Sequence, residues 1–422
     1  MVELLSPVQD FVSLKAAIDA KADAVYFGIK KLNMRAKAKN FKLKDLKKIV
    51  SICHDKKVKA YLALNTIIYD NEIPELRKIL KKAKEAKIDA IICWDFSVVS
   101  EVQKLNLPIH ISTQASISNF EALKNLKKNF SKIERVILAR ELSLEQIKNI
   151  IKKIKQENLG VGIEVFVHGA MCVSISGRCF MSHYLFGKSA NRGECLQPCR
   201  RKYIVKDIEE EHELELGDDY VMSTKDLCTI EFIDKLIKAG IAAFKIEGRN
   251  RSPEYVKTVT ECYREAIDNY KSLKNIKQKL LKKLKTVYNR GFSDGFYLGK
   301  PLNAWTDKYG SKATKKKVYI GIVKNFYKQH SVAEIKIESG SIKVGNEIMF
   351  QGNKTGVFSQ KVASMEINGK KIEHTDSRRN VGIKTENIVR ENDKVFLIIA
   401  NDFNKRNFLN AKSHLLIRKR HC

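Results

Sequence analysis

Through the first 250 residues, short apolar runs alternate with longer stretches whose apolar positions recur at helical spacing among lysines. The runs are Val2–Leu5, Ala24–Phe27, Lys59–Leu64, Ala90–Cys93, Ile109–Ser112, Arg135–Ala139, Ile163–Val167 and Ala242–Glu247. Helical patterns lie between most of them, at Ser13–Ala20, Leu43–His54, Ile73–Ala86, Phe120–Lys128 and Ser143–Lys155. Strand–helix alternation predicts a parallel sheet. Eight such units in about 250 residues match the size of a TIM-like (β/α)8 barrel. An open doubly wound sheet is the alternative, weakened because no glycine-rich dinucleotide fingerprint follows the first run.

Two departures interrupt this rhythm. The last two runs are about 75 residues apart, too far for an ordinary connection, and the gap holds four cysteines, a basic cluster and an acidic segment, Asp207–Asp219. After the eighth run, Pro253–Val287 reads as helical and leads into YNRGFSDGFY. From Lys315 the period shortens to two, in KKVYIGIVKNF, VAEIKIES and NEIMFQG, with turns such as SGSIKVGN. That texture predicts a small antiparallel β-barrel domain. The expected organisation is a catalytic (β/α) barrel over residues 1–312, with a cysteine-rich insertion at 168–222, then a C-terminal β domain at 313–422.

The 422 residues are 44% hydrophobic and 30% charged, the balance of a folded chain and not of a disordered tail. No apolar stretch reaches the roughly 18 residues of a membrane span, so no membrane partner is expected. The opening MVELLSPVQDF lacks a basic region followed by an apolar core, which leaves the cytoplasm as the expected compartment. Charge adds more. Lys and Arg number 79 against 48 Asp and Glu, a net +31 that favours a polyanionic partner, chiefly nucleic acid. A lysine-biased composition accounts for 61 Lys against 18 Arg, but less well for the shortage of acids.

Of nine cysteines, Cys53, Cys93, Cys228, Cys262 and Cys422 are scattered, and the first four read as small core hydrophobes. Cys172, Cys179, Cys195 and Cys199 cluster as C-x6-C-x15-C-x3-C. In a reducing compartment clustered thiols point to a metal site, and the first spacing is too wide for an ordinary zinc pair. An iron–sulfur cluster, zinc and an unliganded set all remain open on spacing. Cys172 follows the seventh run closely, which places it at the C-terminal mouth of the barrel, where barrel chemistry sits.

Other polar groups just past the runs are Asn33, Arg35, Asn65, Asp95, Thr113, Gln114, Arg140, Glu141, His168, Lys245, Glu247 and Arg249. Each alone is as readily a cap or turn former. Six of the 18 arginines fall between Arg178 and Arg251, in a chain that otherwise prefers lysine. Arginine supplies a planar fork for carboxylate or phosphate, and solvated loop charge is the plainer reading. No G-x-S-x-G, H-E-x-x-H or Walker pattern occurs, so hydrolysis by a standard nucleophile or zinc-bound water has no motif behind it.

The run from Glu164 to Cys172, EVFVHGAMC, continuing as VSISGRCFMS, resembles the signature of the collagenase-like peptidases of unassigned mechanism. NRGECLQPCRRKY, STKDLC, KIEGR with YNRGFSDGFY, ELLSP, DAVYFG and ISTQAS resemble further blocks of that family, over essentially the whole chain. The family includes tRNA wobble-uridine hydroxylation proteins, a ribosomal RNA cytidine hydroxylase and oxygen-independent hydroxylases of quinone biosynthesis. The resemblance implies a [4Fe–4S] cluster on Cys172, Cys179, Cys195 and Cys199, and prephenate as hydroxyl donor in the RNA-modifying branches. The basic charge and the C-terminal β domain favour the tRNA branch, with tRNA as partner and 5-hydroxyuridine as product. LQPCRRKY resembles archaeal-type members, and the acidic EEEHELELGDD departs from the pattern. On this reading His168, Lys245 and Glu247 are the catalytic candidates, and Arg178, Arg249, Asn65, Gln114 and Arg140 the substrate-binding ones. Two alternatives stand beside it: a peptidase, as the family label says, and a non-catalytic iron–sulfur RNA-binding protein.

Overall fold

The structure, a computed structural model, describes residues 2–203, 205–206, 213–214, 222–300, 304–376 and 378–401. Most of the acidic segment after Asp207, and Cys422, lie outside them. Two compact units emerge. Of the described residues, the first takes those up to Leu284 together with those of 289–311; the second takes Lys285–Tyr288 and those from Lys312 to Asn401.

In the first unit eight parallel strands close on themselves. They are β1 (Glu3–Pro7), β2 (Ala24–Phe27), β3 (Lys59–Ala63), β4 (Ala90–Cys93), β5 (Ile109–Ile111), β6 (Ile133–Ile137), β7 (Gly162–Gly169) and β8 (Ala243–Ile246). β8 pairs in parallel with both β1 and β7, which completes the TIM-like ring. Every strand is followed by a helix, among them α1 (Phe11–Asp19), α2 (Leu46–His54), α3 (Ile73–Glu85), α4 (Phe96–Lys104), α5 (Phe120–Asn129) and α6 (Leu144–Gln156). Their starts are signalled chemically. Asp10, Asp95, Asn119 and Ser143 each accept a backbone N–H of the first turn, satisfying a donor the helix leaves orphaned. Lysines occupy the outer face while residues such as Ile147, Ile150, Ile151 and Ile154 of α6 are buried.

The stretch from Pro253 to Val287, which reads as helical, holds two helices. α9 (Pro253–Asp268) ends where Asn269 leaves helical geometry, and α10 (Leu273–Leu284) follows a tight turn. (α7, Met181–Phe186, and α8, Ile233–Lys238, precede them.) The break lets Leu273, Leu280 and Leu284 of α10 bury an apolar stripe that a straight continuation would have pointed elsewhere.

Inside the ring, Leu5, Ala24, Tyr26, Tyr61, Ala63, Ala90, Ile92 and Ile137 form one core against Phe166, inward residues of β1 to β4, β6 and β7. The same alternation aims charge inward. Glu3, Arg135, Glu164 and Lys245 form a ladder: Arg135 Nη1 lies 2.5 Å from Glu3 Oε1 and 3.3 Å from Glu164 Oε2, and Lys245 Nζ lies 2.7 Å from Glu164 Oε1. Tyr61 donates its hydroxyl hydrogen to Glu3 at 3.0 Å.

The excursion after β7 returns as a short strand, Asp226–Cys228, which pairs antiparallel with the end of β7 (Leu227 with Gly169, Cys228 with His168). Both ends of the cysteine-bearing segment are thereby fastened at the barrel mouth. In the second unit, eight antiparallel strands run in the order Gly356–Lys361, Glu347–Gly352, Lys394–Ala400, Lys315–Tyr327, Val332–Ile337, Asn380–Lys384, Met365–Ile367 and Lys370–Ile372. Alternate residues such as Ile320, Ile335, Phe350, Val381 and Val395 form its core. Among the described residues no helix is long and apolar enough to cross a membrane.

Candidate active site at the barrel mouth

A cleft of about 270 Å3 opens at the C-terminal ends of the strands. Its floor is the top of the inward core, Tyr26, Ala63, Ile92 and Phe166, with Lys245 among them. Lys245 lies over the Tyr26 ring (4.4 Å to the centroid), and burial pulls its ammonium below the usual lysine range despite Glu164. Placing a cation here follows from strand period: Lys245 is the middle of an otherwise apolar buried strand, on the inward phase.

The loop after β2 forms one wall. Arg35 donates to Glu247 Oε1 at 3.0 Å. Burial alone would raise the Glu247 carboxyl, but Arg35 and Arg251 outweigh it and hold it below the usual carboxylate range. Glu247 Oε2 is buried and accepts no hydrogen bond. Arg249 is 5% exposed, donates to Asn33 Oδ1 at 3.3 Å and lies over Tyr26. Burial pushes it down to about 10, and among the described residues it forms an ion pair with no carboxylate. Arg140 donates to the Ala170 carbonyl at 3.0 Å and lies over Phe166, while its buried Nε and Nη2 have no partner. The cleft therefore carries buried donor groups that the protein itself does not use, the condition under which an anionic ligand repays its desolvation.

Asn65 and Gln114 line the same cleft. Asn65 Oδ1 accepts from the Met34 amide at 3.2 Å, and Gln114 Oε1 accepts from the Ser112 hydroxyl. Arg178 is exposed, donates to the Gln114 carbonyl at 3.2 Å and lines a neighbouring cleft with Ser116, Glu141 and Phe296. Arg192 and Arg200 are structural ties. Arg192 pairs with Glu72, and Arg200 reaches the carbonyls of Met171 and Thr224, clamping the cysteine segment to the returning strand.

His168 is not brought to the cleft. Strand alternation would give it the inward face of Glu164 and Phe166, but a bulge intervenes: Lys245 pairs with Phe166 and Ile246 with His168, so one extra residue on β7 turns the imidazole outward. There it is 1% exposed, among Tyr255, Tyr263 and Phe292, with Tyr263 Oη 3.4 Å from Nδ1. Burial pushes it down to about 3, a neutral core histidine.

The four clustered cysteines all line the cleft, and all are free thiols, Cys172 and Cys195 exposed and Cys179 and Cys199 half-buried. Burial pushes the Cys195 and Cys199 thiols up, and the neighbouring thiols add to it, partly countered by Arg200 at Cys199. Gly193 makes this approach possible. At φ +86°, a side chain there would put Cβ 2.4 Å from the Asn33 carbonyl oxygen, so only glycine lets the segment lie on the β2 loop. Among the described residues no three His, Cys, Asp or Glu side chains converge on a point that could hold a single ion. The donor set itself, four soft free thiols facing one volume, suits a polynuclear iron–sulfur group. Cys53, Cys93, Cys228 and Cys262 are buried, and burial raises each thiol.

Sequence reasoning passed over Glu164, Arg135 and Glu3. The signal was present: a lone acid inside the apolar run GIEVFV must be paired if the run is a buried strand.

The sequence profile of peptidase family U32 matches residues 9–307. A protein of Porphyromonas gingivalis named collagenase is 44% identical over 404 residues, covering 93% of this chain and 97% of that one. A tRNA hydroxylation protein of Bacillus subtilis is 31% identical over 374 residues, 86% of each chain. A 23S rRNA 5-hydroxycytidine synthase of Escherichia coli is 37% identical over 268 residues, 63% of this chain and 39% of that one.

Proposed function

The chain belongs to peptidase family U32, and from that membership and the chemistry of the cleft we propose that it is an RNA-modifying hydroxylase. Its substrate is a wobble uridine of tRNA, converted to 5-hydroxyuridine, with a prephenate-like carboxylate as hydroxyl donor. One observation carries the reading: four free thiols and the buried Arg249, which among the described residues pairs with no carboxylate, share a cleft whose described lining holds no histidine. The RNA hydroxylation relatives, at 31% and 37% identity, support the substrate class, as does the charge of +31.

Cys172, Cys179, Cys195 and Cys199 are the residues that would hold a [4Fe–4S] cluster, which supplies electron-transfer chemistry at the mouth. Arg249 and Arg140 hold the donor's carboxylates through their unused N–H groups. Lys245 and Glu247 are placed for proton movement at the floor and wall of the cleft. Asn65 and Gln114 orient the ligand between them. A base must leave its stack to enter such a cleft, which is easiest in a single-stranded anticodon loop.

The relative named collagenase favours a second reading, a peptidase. Against it stands the lining, which among the described residues has no histidine to activate a serine or cysteine nucleophile. Mass spectrometry of tRNA nucleosides from a strain lacking the gene separates the two. Loss of 5-hydroxyuridine, restored by the gene but not by Cys195→Ala, is expected; unchanged nucleosides with altered proteolysis would establish the peptidase.

A further inference from the structure

The cysteine-bearing segment carries a face the cleft does not use. Tyr184 is 84% exposed and Phe180 58%, with Leu185 also open to solvent. Phe180 caps the short helix α7, so Tyr184, four positions on, rises on the same side, and their ring centroids are 6.3 Å apart. Folded proteins seldom leave a pair of aromatic rings in water without a partner for them. We propose that Phe180 and Tyr184 form a stacking platform for unpaired bases of a single-stranded RNA segment, beside the mouth of the cleft. This rests on the RNA reading above and names the surface that meets the substrate.

Charge complementarity selects the occupant. From Cys172 to Tyr203 the segment has six Lys or Arg and one acid, Glu194. Arg192 is neutralised by Glu72 and Arg200 is spent on carbonyls, but Lys188 and Arg201 are exposed, and Arg201 lies over the Phe186 ring (5.0 Å) beside the platform. Aromatic rings set among cations bind single strands generally, because every base offers a π-face and every linkage a phosphate. A second copy of this chain is a poor occupant, since two molecules of net +31 repel. A duplex is poor too, because its bases are already stacked. Position adds direction. Cys179, which lines the cleft, immediately precedes Phe180, so a strand held on the rings presents its next base to the mouth.

The test uses the full-length protein purified anaerobically and a hairpin RNA with 2-aminopurine in its single-stranded loop. A blunt duplex of the same stem serves as control. Phe180→Leu with Tyr184→Leu should weaken hairpin binding on the order of tenfold or more and abolish the quenching of 2-aminopurine. Duplex binding should not change, and Phe180→Trp with Tyr184→Trp should restore both hairpin signals. Should the leucine pair fail to fold, Tyr184→Leu alone carries the test, because that ring is almost wholly in water. Wild-type affinity and quenching in the leucine variant overturn the platform while leaving the RNA reading intact. Concentration-dependent dimers, or binding to anionic vesicles, that are lost in the variant while hairpin binding persists also overturn it. A wild-type protein that binds neither RNA overturns both.

Discussion

Lys245 Nζ lies 2.7 Å from Glu164 Oε1 within the barrel, the ammonium side chain 5% exposed and the carboxylate fully buried. Neither strand run shows this charge in an exposed place; the two meet because β7 and β8 both turn alternate residues to the barrel axis. Glu164→Gln leaves a buried cation without its counter-charge, and the expected destabilisation is about 3–5 kcal/mol. Urea denaturation reads it as a lowered midpoint at unchanged slope. Adding Lys245→Met should recover much of the loss, since removing both charges removes the unpaired one. Equal midpoints for wild type and Glu164→Gln would show the pair contributes nothing.

His168 gives a pH dependence with a defined sign. Its folded value is pushed down to about 3 by burial, against an unfolded value near 6.5. The unfolded chain therefore binds the proton more readily, and stability is complete above pH 6.5 and falls as pH drops toward 3. Between pH 7 and pH 5 this one group removes about 2 kcal/mol. His110, also buried and pulled well below its ordinary value, acts in the same direction. His168→Phe should flatten the fall in thermal midpoint between pH 7 and pH 5; an identical pH profile in the variant would show that the imidazole protonates in the fold.

The architecture was legible because the strands of a closed parallel barrel are buried on both faces and appear as uninterrupted apolar runs. All eight runs became barrel strands, two with unchanged ends (Ala24–Phe27 and Ala90–Cys93) and the others with ends shifted by a residue or two, as at Val2–Leu5 against Glu3–Pro7. Of the interior charges Lys245 was named from the sequence, but Arg135 was harder to see, because it stands at the edge of its apolar run and yet is central to its strand. His168 was misplaced for a different reason. A bulge moves side chains to the opposite face without any change in residue type, so only the register between β7 and β8 discloses it. The cysteines were conspicuous as a spacing, yet that all four line one cleft depends on a clamp from Arg200 and on Gly193. Both lie within NRGECLQPCRRKY, a run whose resemblance marks the block but not the contact either residue makes.

The thiols yield a compositional prediction. Protein purified without oxygen should be brown and contain about four iron and four sulfide per chain. Cys172→Ala or Cys195→Ala should lose the colour and the iron. Cys53→Ala should keep both, because Cys53 is buried in α2, away from the cleft. Chelation of the iron should leave far-ultraviolet circular dichroism nearly unchanged, since the barrel core is built without these thiols. Stoichiometric zinc without iron after anaerobic preparation would replace the cluster by a different site.

Arg249 is the residue on which the donor-binding half of the proposal turns. Its guanidinium is buried, touches one amide oxygen and, among the described residues, no carboxylate, and lines the cleft that the four cysteines share. Burying a cation without a counter-charge is unfavourable, and a carboxylate arriving from solution relieves it with a charge-assisted, two-pronged contact. Arg249→Ala should weaken donor binding by on the order of 2–3 kcal/mol, about 30- to 150-fold. Arg249→Lys keeps the charge but not the fork, so it should recover only part of that. In cells the alanine variant should abolish 5-hydroxyuridine while the iron content and tRNA affinity of the purified protein stay near wild type, because Arg249 is buried and its side-chain hydrogen bond goes to Asn33. The combination is diagnostic. Loss of iron together with loss of product would make the arginine a structural support of the cysteine segment, and normal tRNA modification would remove it from the site altogether.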